Sequence, residues 1–225
     1  FKILWASFII TRLFLSITTK RPEGPFFKLI LFESLYFCGS TDITFNALFY
    51  HTINFMKYVY SKEVKKHKEK GLPILALESR IIAHGMPYPE NYDFAKKTEQ
   101  LCRKNNVAPA TVAILKGNVH VGLTKKELLW VCKSGKLAKT SKREISTFVA
   151  KKKDGATTVS ATTWIAYKSG VSVFATGGIG GVHKGSSKSF DISQDIIALS
   201  ETPIVVVSAG AKAILDLPKT MESLE

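Results

Sequence analysis

From about Tyr60 onward, short apolar runs alternate with segments whose apolar residues recur at helical spacing. Such alternation is typical of layered α/β domains, because the strands of a largely parallel sheet are buried under helices on both faces. We therefore predict an α/β fold with three layers, in which helices cover both faces of a mostly buried central sheet. The predicted strands are "LPILALES", the strand pair "APATVAILKGNVHVGL", "VSVFATG" and "PIVVVSAG", and the predicted helices are "SKEVKKHKEK", 91–105, "TKKELLWVCKSG", "TTVSATTWIAYKSG" and "DISQDIIALSE". We expect Gly71 to end the first of these helices and Thr124 to cap the third.

The first 59 residues differ in composition from the rest of the chain. Residues 1–60 hold 15 of the 24 aromatic residues, and Lys2 and Arg12 interrupt the apolar start. These charges leave no run of about 18 uncharged apolar residues, so a membrane-spanning helix is not predicted. We interpret residues 1–59 as an extension outside the domain, or as a gene-model artefact, and residues 60–225 as the domain. A targeting presequence and an interfacial membrane anchor are the alternatives.

The formal net charge of +14 comes mainly from lysines scattered over residues 61–153. That region contains 21 Lys and Arg against 8 Asp and Glu, in runs such as "KEVKKHKEK". It shows no arginine-rich stripe interleaved with aromatic residues, which a nucleic-acid interface would favour. We interpret the excess as a solvated basic face. Attraction of a phosphorylated small molecule and a nucleic-acid-binding module are the alternatives.

Three cysteines, Cys38, Cys102 and Cys132, are spread widely along the chain. They form no C-x-x-C motif, so neither a disulfide framework nor a zinc site is predicted. This cysteine usage is typical of a reducing compartment. We expect a cytoplasmic protein, or a mitochondrial one if residues 1–59 are a presequence.

Chemically reactive residue types follow three of the predicted strands. Glu78 ends the predicted strand "LPILALES". The glycine-rich loop "GGIGGVHKG" follows the strand "VSVFATG", and Lys212 follows the strand "PIVVVSAG". Ligands of open α/β sheets collect at the carboxyl ends of the strands, so these groups are expected to meet at one rim. Helix capping or an ion pair with Arg80 would explain Glu78 without catalysis, and a hydrogen bond within the loop would explain His183.

Two acids follow the glycine-rich loop. Asp191 and Asp195 lie four positions apart in "SFDISQD", a spacing that places both on one face of a helix. Capping of the helix N-terminus explains Asp191 without a ligand. The alternative is that Asp191 binds a hard divalent cation, because carboxylate and water oxygens suit Mg²⁺ and Mn²⁺.

Five sequence blocks, in order, resemble the pseudouridine-5′-phosphate glycosidase family, also called pseudouridylate synthases. The blocks are "LALES" with "IIAHGMPYPEN", "GATTVSAT", "FATGGIGGVHKG", "SFDISQD" and "VVVSAGAKAILDLPKTMESLE". The resemblance implies reversible cleavage of the carbon–carbon glycosidic bond of pseudouridine 5′-phosphate, which gives uracil and ribose 5-phosphate. It also implies a homotrimer and a divalent metal, typically Mn²⁺.

The resemblance further implies roles for nine residues. Lys212 matches the nucleophile that bonds to the anomeric carbon of the sugar, Glu78 matches the proton donor, and Asp191 matches the metal-binding residue. The implied substrate-binding residues are Lys139, Val159, Thr176, His183, Ser193 and Asp195. Backbone N–H groups of the glycine-rich loop, with Thr176 and Lys139, are expected to hold the 5′-phosphate.

The sequence departs from the family pattern at several positions. Arg80 stands where the family usually has threonine, Lys184 stands for arginine, and "TSKRE" replaces the motif that usually follows the position of Lys139. The chain ends at Glu225, whereas family members continue, so we expect the domain to be incomplete at its C-terminus. A homologue that keeps the fold but is catalytically inactive is therefore the alternative function.

Overall fold

The structure, a computed structural model, describes residues 56–225. The strands are β1 (Tyr58–Tyr60), β2 (Ile74–Glu78), β3 (Ala108–Leu115), β4 (Asn118–Val121), β5 (Ala138–Thr140), β6 (Gly155–Thr157), β7 (Val173–Ala175) and β8 (Val205–Val207). The α-helices are α1 (Lys62–Glu69), α2 (Glu90–Lys104), α3 (Lys125–Lys133), α4 (Ile145–Ala150), α5 (Val159–Lys168), α6 (Ser186–Ser189), α7 (Gln194–Glu201) and α8 (Leu217–Glu222). A π-helical turn, Ile81–Gly85, and a 3-10 turn, Lys142–Glu144, complete the described elements.

Most of the predicted extension lies outside the described residues, and its nature stays a prediction. Its last residues are part of the sheet, because β1 pairs in parallel with β4, with Tyr58 opposite Val119. The sheet therefore begins slightly before the predicted start of the domain at residue 60. Within residues 56–225, no helix has the length and apolar character needed to cross a membrane.

The sheet is mixed, with parallel pairs dominant. Its main path runs β1-β4-β3-β2-β7-β8, and the neighbours of β2 and β7 along this path are all parallel. β6 pairs antiparallel with the end of β3 at Ala113 and Ile114, beyond the residues of β3 that pair with β2. Because β2 and β6 approach along β3 from opposite directions, their carboxyl ends meet. β5 lies parallel to β6 and ends at the same place.

Helices cover both faces of the sheet at its centre. All eight residues of β3 are buried. Its even-numbered residues pack against α1, α4 and α5, whereas Ala113 and Leu115 pack on the other face against α2 and α3. Since successive residues of a strand point to opposite faces, this division confirms the predicted three-layer α/β fold.

The buried character predicted for "PIVVVSAG" is wrong for β8. Val205 is 60% exposed and Val207 is 57% exposed, while Val206 between them packs against the core. β8 is the edge of the described sheet, and one of its faces has no helix over it within residues 56–225. Apolar composition alone does not distinguish such a strand from one covered on both faces.

Predicted helix boundaries coincide with local signals. Thr124 caps α3 through a capping box, in which its hydroxyl accepts from the Glu127 N–H and the Glu127 side chain accepts from the Thr124 N–H. Gly71 follows the end of α1 with a φ of +63°, a conformation that glycine adopts without strain. Both predictions are confirmed.

Asn91, in the first turn of α2, ties the segment after β2 to the helical layer. Asn91 is buried, with 1% of its surface exposed. Its Nδ2 donates at 2.7 Å to the carbonyl oxygens of Ile82 and Cys132. The first carbonyl belongs to the π-helical turn and the second to α3. One amide therefore fixes the turn that follows Glu78.

We expect Asn91→Ala to lower the free energy of unfolding by about 2 to 4 kcal/mol, because it strands two buried carbonyl groups. Urea unfolding monitored by circular dichroism measures the loss. The matched control is Asn105→Ala, whose amide donates to the Leu101 carbonyl at the exposed end of the same helix, and which should cost less than about 1 kcal/mol. Equal losses in the two variants would contradict this role of Asn91.

Candidate active site

An open cleft lies where the carboxyl ends of β2, β5, β6 and β7 come together. Its volume is about 1160 Å³. Eight of the nine predicted site residues line it: Glu78, Lys139, Val159, His183, Asp191, Ser193, Asp195 and Lys212. The ninth, Thr176, lines a smaller apolar cavity of about 190 Å³ on the other side of Glu78. The structure thus brings the predicted residues to one place.

Glu78 is held by Thr176 from the neighbouring strand. Thr176 directly follows β7, and its hydroxyl donates to Glu78 Oε1 at 3.0 Å. Burial raises the pKa of the Glu78 carboxyl above its usual value, against the opposing effects of this hydrogen bond and of the positive charges of Lys212 and Arg80. A carboxyl group that keeps its proton to higher pH is suited to act as a general acid. Neither an ion pair with Arg80 nor a helix cap is found for Glu78 within the described residues.

Asp195 connects two walls of the cleft. It is 5% exposed, its Oδ1 accepts from the Ser160 N–H at 2.9 Å and its Oδ2 accepts from the Gly180 N–H at 2.8 Å. The Ser160 N–H lies in the first turn of α5, where the partial positive charge of the helix favours an anion. Both carboxylate oxygens of this predicted substrate-binding residue are therefore already bound by the protein. Ser193 caps α7 by accepting from the Asp195 N–H at 3.2 Å.

Four N–H groups of the glycine-rich loop are bound within the protein. Ile179 donates to the Gly210 carbonyl at 3.0 Å, Val182 to the Thr220 hydroxyl at 3.0 Å, and His183 to the Asp191 carbonyl at 3.1 Å. With the N–H of Gly180 bound to Asp195, these four groups are not available to a phosphate. The prediction that the loop N–H groups hold the phosphate is wrong for all four.

Two glycines of this loop are required by protein neighbours. A side chain on Gly180 would collide with Ser193 and would lie 2.8 Å from Asp195 Oδ2. A side chain on Gly181 would collide with Thr220 of α8. Glycine at these positions therefore permits close approach between segments of the protein.

Lys212 lies between β8 and α8 in a segment paired with the loop. Its N–H donates to the Ile179 carbonyl at 3.1 Å. Its side chain passes Gly178, where an added Cβ would lie 3.6 Å from Lys212 Cγ. The amine lies close enough to Glu78 for its charge to act on the pKa of that carboxyl. A candidate nucleophile and a candidate acid thus line the same cleft.

Asp191 does not share a helical face with Asp195, because α7 begins only at Gln194 and Asp191 lies in an extended segment before it. The Asp191 side chain is 64% exposed, and its Oδ2 is 3.9 Å from Nδ1 of His183. No group of three or more His, Cys, Asp or Glu side chains suited to a metal occurs within residues 56–225. One accessible carboxylate fits a largely hydrated ion of the Mg²⁺ or Mn²⁺ type, which protein sites often hold through one or two carboxylates and waters.

Lys139 and Val159 form part of the opposite wall. Lys139 is the exposed central residue of β5, whereas Val159, the first residue of α5, is buried and packs mainly in the core. Two further cations that were not predicted as site residues, Arg80 and Arg143, also line the cleft. Arg80 is adjacent in sequence to the Glu78-Ser79 strand end, and that proximity was the available signal.

Several similar curated proteins are named pseudouridine-5′-phosphate glycosidase. Those of Alkaliphilus metalliredigens and Staphylococcus aureus are each 50% identical to this chain over 173 residues, which are 76% of this chain and 56% of the relative. The Clostridium botulinum protein is 52% identical over 166 residues, covering 73% of this chain and 54% of the relative. The chain thus spans about half the length of the curated relatives it matches, and the resemblance deduced from the motifs is confirmed.

Solved structures agree with the fold. The prealnumycin C-glycosynthase AlnA, determined in complex with ribulose 5-phosphate, matches with a TM-score of 0.69 and 36% identity over 75% of this chain and 54% of that one. An indigoidine synthase A-like protein from Thermotoga maritima matches with a TM-score of 0.68 and 35% identity over 75% of this chain and 55% of that one.

A family model described as indigoidine synthase A like protein matches residues 63–225, which include every residue of the candidate site. The matched range is well over half of the chain. The chain therefore belongs to the indigoidine synthase A-like protein family.

Proposed function

We propose that this chain carries the active site for reversible cleavage of pseudouridine 5′-phosphate to uracil and ribose 5-phosphate, through a covalent bond between Lys212 and the sugar. The observation that carries the proposal is the placement of Lys212 and the partly buried acid Glu78 in one cleft. The names of relatives at about 50% identity support the substrate. The ribulose 5-phosphate bound to a related C-glycosynthase supports a sugar phosphate in such a cleft.

The chemistry requires an amine and an acid because a carbon–carbon glycosidic bond has no heteroatom leaving group. Lys212 Nζ attacks the anomeric carbon as the bond from that carbon to the ring oxygen breaks, and the ring oxygen takes up the proton that the amine loses. Glu78 then protonates the uracil carbon that is bonded to the sugar. The carbon–carbon bond breaks, its electron pair stays with uracil, and the nitrogen lone pair of Lys212 forms a C=N bond to the sugar. Water hydrolyses this imine to ribose 5-phosphate and free Lys212.

The remaining predicted residues are proposed to position the substrate. Lys139 supplies a positive charge for the phosphate, and His183 faces the cleft from the glycine-rich loop. Thr176 acts through its hydrogen bond to Glu78, and Asp195 acts by fixing the loop, so we propose these two as positioning residues. Ser193 contributes by capping the helix that carries Asp195.

We also propose that Asp191 holds a divalent metal, Mn²⁺ in the first instance, with water completing its coordination. The ion would supply positive charge for substrate oxygens.

A homotrimer, a cytoplasmic location and the absence of a nucleic-acid partner stay predictions. The alternative function is a catalytically inactive homologue, which the departures of this sequence from the family motifs favour.

The first test is release of uracil from pseudouridine 5′-phosphate. We expect Lys212→Ala to lower the rate at least about 1000-fold, since no other group supplies the covalent bond. Lys188→Ala, on α6 and outside the cleft, is the matched control and should keep the wild-type rate.

Reductive trapping of the bond between Lys212 and the sugar distinguishes an active enzyme from the inactive homologue. With ribose 5-phosphate and borohydride, the open-chain aldehyde and the Lys212 amine should give a stable secondary amine that mass spectrometry locates on Lys212. Uracil release without a Lys212 adduct would contradict the covalent mechanism. The absence of both uracil release and the adduct in wild-type protein would support the inactive alternative.

We expect Thr176→Val to move the alkaline limb of the rate–pH profile to higher pH. The Thr176 hydrogen bond stabilises ionised Glu78 and so opposes the effect of burial on its pKa. Its removal raises the pKa of Glu78 further, so the proton needed for uracil departure is retained to higher pH. Thr147→Val, at an exposed position of α4 outside both cavities, is the control and should leave the limb in place. A shift to lower pH, or none, would show that Glu78 is not the acid.

Binding of Mn²⁺ tests the role of Asp191 without relying on activity. We expect Asp191→Asn to weaken Mn²⁺ binding by at least about tenfold, measured as the free Mn²⁺ signal in electron paramagnetic resonance. A chelator should lower uracil release and added Mn²⁺ should restore it. Asp93→Asn, at the exposed start of α2, is the control. Equal Mn²⁺ affinity in wild type and Asp191→Asn would refute the assignment.

A further inference from the structure

Arg80 is a cleft residue with one guanidinium nitrogen that the described residues do not satisfy. It follows Ser79 and leads into the π-helical turn. Its Nε is buried and has no hydrogen-bond partner among the described residues. A buried donor without an acceptor is costly, and such groups in native proteins call for an explanation.

The other two arginines within residues 56–225 show what satisfied guanidinium groups look like here. Arg103 binds Glu63 at 2.9 Å and Glu99 at 3.0 Å, and Arg143 binds Glu144 at 2.6 Å. Arg80 forms no ion pair with a carboxylate of the described residues. Since its side chain lines the cleft, the guanidinium is placed to pair with an anionic group bound there.

The same wall of the cleft carries Lys139. The Thr157 N–H donates at 2.9 Å to the hydroxyl of Ser79, which joins the end of β6 to the end of β2. Thr157 pairs in turn with Thr140 of β5, next to Lys139. Arg80 and Lys139 are therefore brought to the junction of β2, β5 and β6. Two cations at one junction, one of them a planar fork of donors, match the oxygens of a phosphate group.

We propose that Arg80 is a substrate-binding residue which, together with Lys139, holds the phosphate of the sugar phosphate and gives the cleft its selectivity for the phosphorylated sugar. The inference rests on the proposed function for the identity of the sugar. It also gives a reason for a bulky cation two residues from Glu78. Four loop N–H groups are bound within the protein and are not available to a phosphate, whereas the two cations of this wall are.

Binding of ribose 5-phosphate and of ribose, measured by calorimetry on the full chain, tests the proposal. We expect Arg80→Thr to weaken ribose 5-phosphate binding about 10- to 100-fold, the loss of a charge-assisted pair of hydrogen bonds, and to leave ribose binding unchanged. The affinity of Arg80→Lys for ribose 5-phosphate should fall between those of wild type and Arg80→Thr, because lysine keeps the positive charge but lacks the paired donors of the guanidinium. Lys126→Thr, which removes a positive charge on α3 outside the cleft, should behave as wild type. Thermal unfolding checks that each variant is folded.

The outcomes separate this proposal from the proposed function. Equal affinity of wild type and Arg80→Thr for ribose 5-phosphate, an equal loss for both sugars, or no binding of ribose 5-phosphate to wild type overturns the role of Arg80. Binding that depends on Arg80 without uracil release overturns only the proposed reaction. Uracil release with phosphate selectivity unchanged in Arg80→Thr overturns only the role of Arg80.

Discussion

The carboxylate of Asp195 is the interaction on which the geometry of the cleft depends. Its two oxygens join the first turn of α5 to the glycine-rich loop, and no cation of the described residues pairs with it. A buried carboxylate is tolerated here because each oxygen accepts a backbone N–H and one of the donors lies at a helix N-terminus. The loop held in this way pairs with the segment that carries Lys212. Lys212, the proposed nucleophile, is therefore placed through the loop by the hydrogen bonds of Asp195.

Much of the fold is predictable from local signals. The helix cap at Thr124, the stop at Gly71 and the apolar runs each act within a few residues, and the structure agrees with them. Two predictions failed, the first for a tertiary reason and the second because a local capping signal was missed. The exposure of β8 depends on what covers the sheet edge, and the start of α7 depends on Ser193, which caps it, rather than on the spacing of the acids.

The candidate site was predictable in position but not in detail. Parallel strands carry Glu78 and the glycine-rich loop to one rim, so the rule for open α/β sheets finds them. The antiparallel β6, which brings Lys139 and the end of β5 to that rim, has no such rule, and the Lys139 assignment came only from resemblance. The loop is held by tertiary hydrogen bonds, such as the one between Gly180 and Asp195 of α7, which the sequence does not reveal. The glycine content alone suggested that the loop N–H groups bind a ligand, whereas four of them bind the protein.

The crowding around Gly180 and Gly181 has an evolutionary consequence. A residue larger than glycine at position 180 requires a smaller one at 193, but Ser193 also begins the helix that carries Asp195. The same holds for Gly181 and Thr220, whose hydroxyl accepts from the loop. A larger residue at either glycine therefore requires a compensating change at its partner, Ser193 or Thr220. The two members of each pair are expected to change together in evolution.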